Sequence, residues 1–197
     1  MITIIDIVGN VGSISNMLKR VGVKSKISSD VNDIETADKL ILPGVGAFDN
    51  GMKEIHSKNL LDVLLKKVLA EKTPILGVCL GMQLLTKRSE EGTLQGLGWI
   101  DAETIRFRTN LRVPHMGWNT LNHKDEPIFR NMPKGERFYF VHSYHVVCND
   151  KSNVIATTNY GYDFASVIQK ENIFGVQFHP EKSHRFGMTL LKNFSEI

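Results

Sequence analysis

The stretch Pro74 to Leu85, PILGVCLGMQLL, runs from an apolar strand through a sharp turn into a helix, with Cys79 at the turn. Gly77 and Gly81 remove side chains where the two backbones must approach closely. A nucleophile on such an elbow is held out at the end of a sheet. The start of a helix favours negative charge on the sulfur, and the Leu80 N–H is free to face an oxyanion. Taken alone, a cysteine among glycines reads more readily as a packing residue, so the chemistry depends on a base. GVQFHPE supplies one. His179 ends a strand-like run, and Pro180 biases it toward extended backbone. Glu181, two residues on, can project on the same side as His179. A carboxylate at one imidazole nitrogen fixes the tautomer and stabilises the imidazolium. Cys79, His179 and Glu181 then form a nucleophile, base and orienter. A second glycine-rich turn, Gly44-Val45-Gly46 in LILPGVGAF, ends another strand. It can aim backbone N–H groups at an anion and so supply a second oxyanion donor.

These residues need a sheet to hold them. Ile2 to Val8, Lys39 to Gly44 and Pro74 to Val78 read as buried strands. Helices are expected from ISNMLKRVG, from NLLDVLLKKVLAEK, where Leu60, Leu61, Leu64, Leu65, Val68 and Leu69 share a face, and from Leu80 through LGMQLLTKRS. Buried strands alternating with helices predict a mostly parallel sheet covered on both faces, with active sites at the carboxyl ends of its strands. The last third is β-rich: WIDAETIRF, RFYFVHSYHVVC, NVIATTNY, FASVIQ and IFGVQF, with KEN short enough for a hairpin turn, before a closing helix in MTLLKNFSEI. Arg106 to Pro114 reads as an irregular loop. The expectation is one α/β domain over residues 1–197.

Composition narrows the function. The chain has 197 residues, 42% hydrophobic and 23% charged, with a formal net charge of +3. Its lysines are dispersed, so nothing points to nucleic acid. Two cysteines, Cys79 and Cys148, are too few for a secreted disulfide scaffold. The start MITIIDIVGN reads as a strand and not as a signal peptide, and no apolar run reaches membrane-spanning length, so a cytoplasmic protein is expected. The histidines lack zinc spacing, GNVGSI is not a dinucleotide fingerprint, and no P-loop occurs. No metal or organic cofactor is expected.

PGVGAF, GVCLGMQLL and GVQFHPEKS, in that order, resemble the class I (triad) glutamine amidotransferases, whose fold is flavodoxin-like. PHMGWN (114–119) and RFYFVHSYH (137–145) resemble, more narrowly, the glutaminase subunits of imidazole glycerol phosphate synthases. The resemblance covers essentially the whole chain. It implies hydrolysis of L-glutamine to glutamate and ammonia, with Cys79 forming a glutamyl thioester, His179 as acid and base, and Glu181 as its orienter. It implies an oxyanion hole from Leu80 and Gly44, Val45 and Gly46, and a substrate held by Gln83, Ser143 and Tyr144. The partner would be a (β/α)8-barrel cyclase subunit, forming a heterodimer that receives ammonia through an internal channel in histidine biosynthesis. Asn10, Pro114, His115, Trp118 and Asn119 would face that partner. One departure stands out: Ile7 and Val8 replace the Tyr-Gly pair usual after the first strand's Asp6. The segment Asn10 to Gly22 also resembles paralogues that supply ammonia to a sugar amidotransferase in surface-polysaccharide assembly. A non-catalytic scaffold and a peptide hydrolase are the rival readings. The intact triad argues against the first, and Gln83 with the His-Ser-Tyr run against the second.

Overall fold

The computed structural model describes residues 1–197. Five parallel strands form its frame: β1 (Ile2–Ile5), β2 (Ser25–Ser28), β3 (Lys39–Gly44), β4 (Ile75–Cys79) and β12 (Ile173–Val176), in the order β2-β1-β3-β4-β12. Each inner strand is apolar at consecutive positions because both faces are covered. Ile5, Leu40, Leu42 and Ile75 pack on one side with α3 (Phe48–Ser57), α4 (Leu61–Leu65) and α5 (Leu80–Leu84). Ile4, Ile41, Leu76 and Val78 pack on the other with α1 (Val11–Arg20) and the C-terminal α6 (His184–Glu196). A short α2 (Val31–Glu35) links β2 to β3 and is capped by the Asp30 carboxylate.

The last third extends this frame with antiparallel strands. β11 (Asp163–Lys170) pairs with β12 across a tight turn at Glu171 and Asn172, and β10 (Val154–Asn159) pairs with β11. A short β7 (Asn122–His123) edges β10, while β9 (Tyr144–Cys148) branches from β11 and carries β5 (Ala102–Arg106). A separate ribbon pairs β6 (His115–Asn119) with β8 (Phe138–His142).

The structure shortens several sequence-read elements. β1 ends at Ile5, where the Ile7 N–H turns back onto the Ile5 carbonyl. α5 ends at Leu84, where the Thr86 N–H and hydroxyl both close onto the Gln83 carbonyl. α4 widens into a five-residue turn, with the Glu71 N–H on the Lys66 carbonyl. The run RFYFVHSYHVVC is two strands: the chain leaves the ribbon at His142 and enters the main sheet at Tyr144. No helix is long and apolar enough to cross a membrane.

Candidate active site

Cys79 is the last residue of β4 and adopts φ +54°, ψ −108°. For a residue with a side chain this is strained backbone, and close packing on both sides enforces it. A Cβ on Gly81 would lie 1.7 Å from the Leu42 carbonyl oxygen, and one on Gly77 2.7 Å from the Gly81 backbone. The elbow therefore closes only because glycine occupies both positions. Register aligns its neighbours: Gly44 of β3 pairs with Cys79, and Val176 of β12 with Val78. The carboxyl ends of β3, β4 and β12 thus converge at the sulfur.

His179 stands just beyond β12. Its N–H bonds to the Tyr139 carbonyl at 2.9 Å, and its own carbonyl accepts the Ser183 hydroxyl at 2.6 Å. That hydroxyl oxygen in turn accepts the Tyr139 N–H at 3.0 Å. The imidazole is 2% exposed, and its Nδ1 lies 2.8 Å from Glu181 Oε1. Burial opposes a charge on the ring, but the Cys79 sulfur and the Glu181 carboxylate outweigh it and push His179 up to about 9. Nε2 has no partner within hydrogen-bond geometry. It is the ring nitrogen left open, since Glu181 occupies the other.

Cys79 and His179 open into a cleft of about 470 Å³. Leu80, Val45, Gly46, Gln83, Ser143 and Tyr144 line it. Gly44 lies beneath, packed on Leu80. Val45 is exposed, and Gly46 takes φ +97°, a conformation suited to glycine. The residues expected at a partner surface divide. Asn10 is exposed, and Trp118, at 42% exposure, stacks on His184 at 5.3 Å. Pro114 lines the cleft instead. His115 does not reach the surface: it is 3% exposed, because β6 alternates and turns this ring inward between Phe140 and Tyr160. Asn119 is half-buried and hydrogen-bonded to it.

Sequence reasoning missed three polar residues of the cleft and one behind it. Glu91 reaches the cleft from the irregular loop after α5, and its Oε2 accepts the Phe48 N–H at 2.9 Å. Asp49 anchors that loop by accepting the Thr93 and Leu94 N–H groups. Lys182 and His142 also face the cleft. Gln177 is fully buried behind the sulfur, with its Nε2 3.8 Å from Sγ. A polar residue inside the apolar run IFGVQF was the available signal for Gln177. Nothing in SEEG marks which acid faces inward. Cys148 packs at the end of β9, where burial pushes its thiol up to about 11. No group of three His, Cys, Asp or Glu side chains is placed to hold a metal ion.

A family model described as glutamine amidotransferase class-I matches residues 3–197. A protein of Methanococcus maripaludis named imidazole glycerol phosphate synthase subunit HisH 2 is 53% identical over 198 residues, covering 98% of each chain. One of the same name from Pseudomonas aeruginosa is 52% identical over 201 residues, covering 100% of each. Among solved structures, a glutamine amidotransferase from Thermotoga maritima shares the fold, with TM-score 0.67 and 18% identity over 99% of this chain and 82% of that one.

Proposed function

The chain belongs to the class I glutamine amidotransferase family, and from that premise we propose that it is the glutaminase subunit of an imidazole glycerol phosphate synthase, serving histidine biosynthesis. It hydrolyses L-glutamine to glutamate and ammonia. All 197 residues act as one domain, in the cytoplasm, in a complex with a cyclase subunit. The observation that carries the mechanism is the buried His179–Glu181 pair placed beside Cys79 by adjacent parallel strands.

Cys79 Sγ attacks the side-chain amide carbon of glutamine. The carbonyl becomes an oxyanion, held by the Leu80 N–H and the Gly44–Val45–Gly46 turn. His179 passes its Nε2 proton to the leaving nitrogen, ammonia departs, and a glutamyl thioester remains. His179 then takes a proton from water, which cleaves the thioester to glutamate. Glu181 keeps the ring oriented and stabilises its charge throughout. Gln83, Ser143 and Tyr144 hold the substrate, and Glu91, the carboxylate on the cleft wall, faces its α-ammonium. The partner has a (β/α)8-barrel fold and takes the ammonia through an internal channel, so that the gas-like product never meets bulk solvent.

Cys79→Ala is expected to abolish glutamine turnover in the complex while added ammonium salt still supports the cyclase reaction. Glutaminase activity surviving in that variant overturns the mechanism. The Asn10–Gly22 segment favours a second acceptor, a sugar amidotransferase of surface-polysaccharide assembly. Growth of a histidine-requiring strain lacking its own glutaminase subunit, on supplying this chain and its partner, separates the two.

A further inference from the structure

A continuous hydrogen-bond chain runs through the interior from the β6 ribbon to the catalytic sulfur, and the direction of every bond in it is determined. At the outer end, the Asn119 side chain is oriented by two backbone groups. Its Nδ2 donates to the Asn159 carbonyl at 2.9 Å, and its Oδ1 accepts the Thr120 N–H at 2.8 Å. Nδ2 therefore faces His115 Nε2, 3.3 Å away, which must accept. His115 Nδ1 lies 3.0 Å from His142 Nε2, and His142 Nδ1 lies 2.7 Å from the Tyr144 carbonyl. A carbonyl only accepts, so His142 donates from Nδ1, and its Nε2 accepts from His115. Burial keeps both rings neutral, lowering His142 to about 3 and His115 to about 4, so each holds a single tautomer.

The same Tyr144 carbonyl accepts Gln83 Nε2 at 3.3 Å, and Gln83 Nε2 also donates to Gln177 Oε1 at 3.2 Å. Two consequences follow. Both amide hydrogens of Gln83 are used, which leaves its Oε1 as an acceptor. The Gln177 amide, with its oxygen committed to Gln83, has only its Nε2 to present to Cys79 Sγ.

We propose that Gln177 is a positioning residue for the nucleophile: its amide donates to Cys79 Sγ, and the Asn119–His115–His142–Tyr144–Gln83 chain orients that amide. Gln177 does not line the cleft, so it acts on the sulfur and not on glutamine. Donation to the sulfur stabilises its anionic form and holds it on the side facing His179. The ribbon that carries exposed Met116 and Trp118 is thereby joined through hydrogen bonds to the reacting atom.

The inference rests on Cys79 being the nucleophile, and the test separates the two. The rate of Cys79 alkylation by iodoacetamide is followed by mass spectrometry on the full-length chain at one pH, and kcat and KM for glutamine are measured in the complex. If wild-type Cys79 does not alkylate, the nucleophile assignment fails, and this inference with it. If it does, Gln177→Met, which keeps the side chain's length without a donor, is expected to slow alkylation and lower kcat roughly tenfold, with KM within twofold. Should that variant not fold, Gln177→Asn withdraws the amide from the sulfur and serves the same comparison. His115→Phe keeps the stack on Phe140 and Tyr160 but breaks the chain. It is expected to lower kcat severalfold, and the double variant to be no slower than Gln177→Met alone, because both act through one amide. Unchanged alkylation and kcat in the Gln177 variant, a loss confined to KM, or losses that multiply in the double variant each overturn the inference.

Discussion

His179 carries a charge that burial alone would deny it, and this has a consequence for stability. The ring binds its proton more tightly in the fold, at about 9, than at its ordinary 6.5. The folded state therefore holds more protons between those values, and stability drains away as pH rises through the window. The contribution is complete below pH 6.5 and lost above about pH 9, and is on the order of 3 kcal/mol. Denaturant melts of wild type and His179→Gln should converge as pH goes from 6 to 10. Parallel curves would show that the ring's proton is not held this way. In catalysis the pair should respond unequally. Under the proposed mechanism, His179→Ala removes the group that moves the proton, whereas Glu181→Gln removes only its orienter. Losing the orienter of a serine-protease triad costs up to about 10⁴-fold, so kcat for the Gln variant is expected to stay above that of the Ala variant, with a narrow gap. The reverse order means the roles are exchanged.

The elbow is a property of two elements pressed together, and its glycines are where it is most vulnerable. Gly81→Ala places a Cβ inside the Leu42 carbonyl, so α5 must move off β3. The variant should lose roughly 3 kcal/mol or more together with glutaminase activity. Gly12, on α1, has no neighbour within 4 Å of an added Cβ and no positive φ. Gly12→Ala should stabilise by roughly 0.5–1 kcal/mol and leave activity unchanged. Chemical denaturation of both variants is the check, and equal effects would mean that packing at the elbow is not what requires glycine. The β6–β8 ribbon has its own pH limit. His115 and His142 bind protons less readily folded, at about 4 and about 3, than unfolded. Their contribution is complete above pH 6.5 and fades as pH falls through those values. Acid should therefore destabilise the wild type more steeply than His115→Phe between pH 6.5 and 4, measured by thermal melts.

For the molecule as a whole, turnover is expected to depend on the partner. The Gly44–Val45–Gly46 turn ends β3 beside Cys79, and Val45 is exposed, so in the proposed complex a docked subunit would set the orientation of its peptides. One oxyanion donor changes the rate by about 10²–10³. The isolated chain should hydrolyse glutamine slowly and be activated by that factor when the cyclase binds its ligand. Gly46→Pro, which cannot adopt φ +97°, should remove most of the activation. Turnover by the lone chain at the full rate of the complex would show that the turn is permanently set.

Local patterns made much of this legible in the sequence. The strand at Lys39–Gly44, the strand-turn-helix at Cys79, the short turn before β12 and the order of the motifs all follow from side-chain period and glycine or proline chemistry over a few residues. Tertiary structure decided what depends on register and on which surface each face meets. Cys79 and His179 are a hundred residues apart in the chain, and only the pairing of β12 with β4 sets them side by side. RFYFVHSYHVVC is continuous in pattern, but it breaks at Ser143 because its halves belong to different sheets. PHMGWN looks like a surface, yet the pleat turns His115 inward and leaves Trp118 outside. Glu91, Gln177 and the direction of each hydrogen bond behind the sulfur carry no local signature, because a buried amide's orientation is decided by partners distant in the sequence.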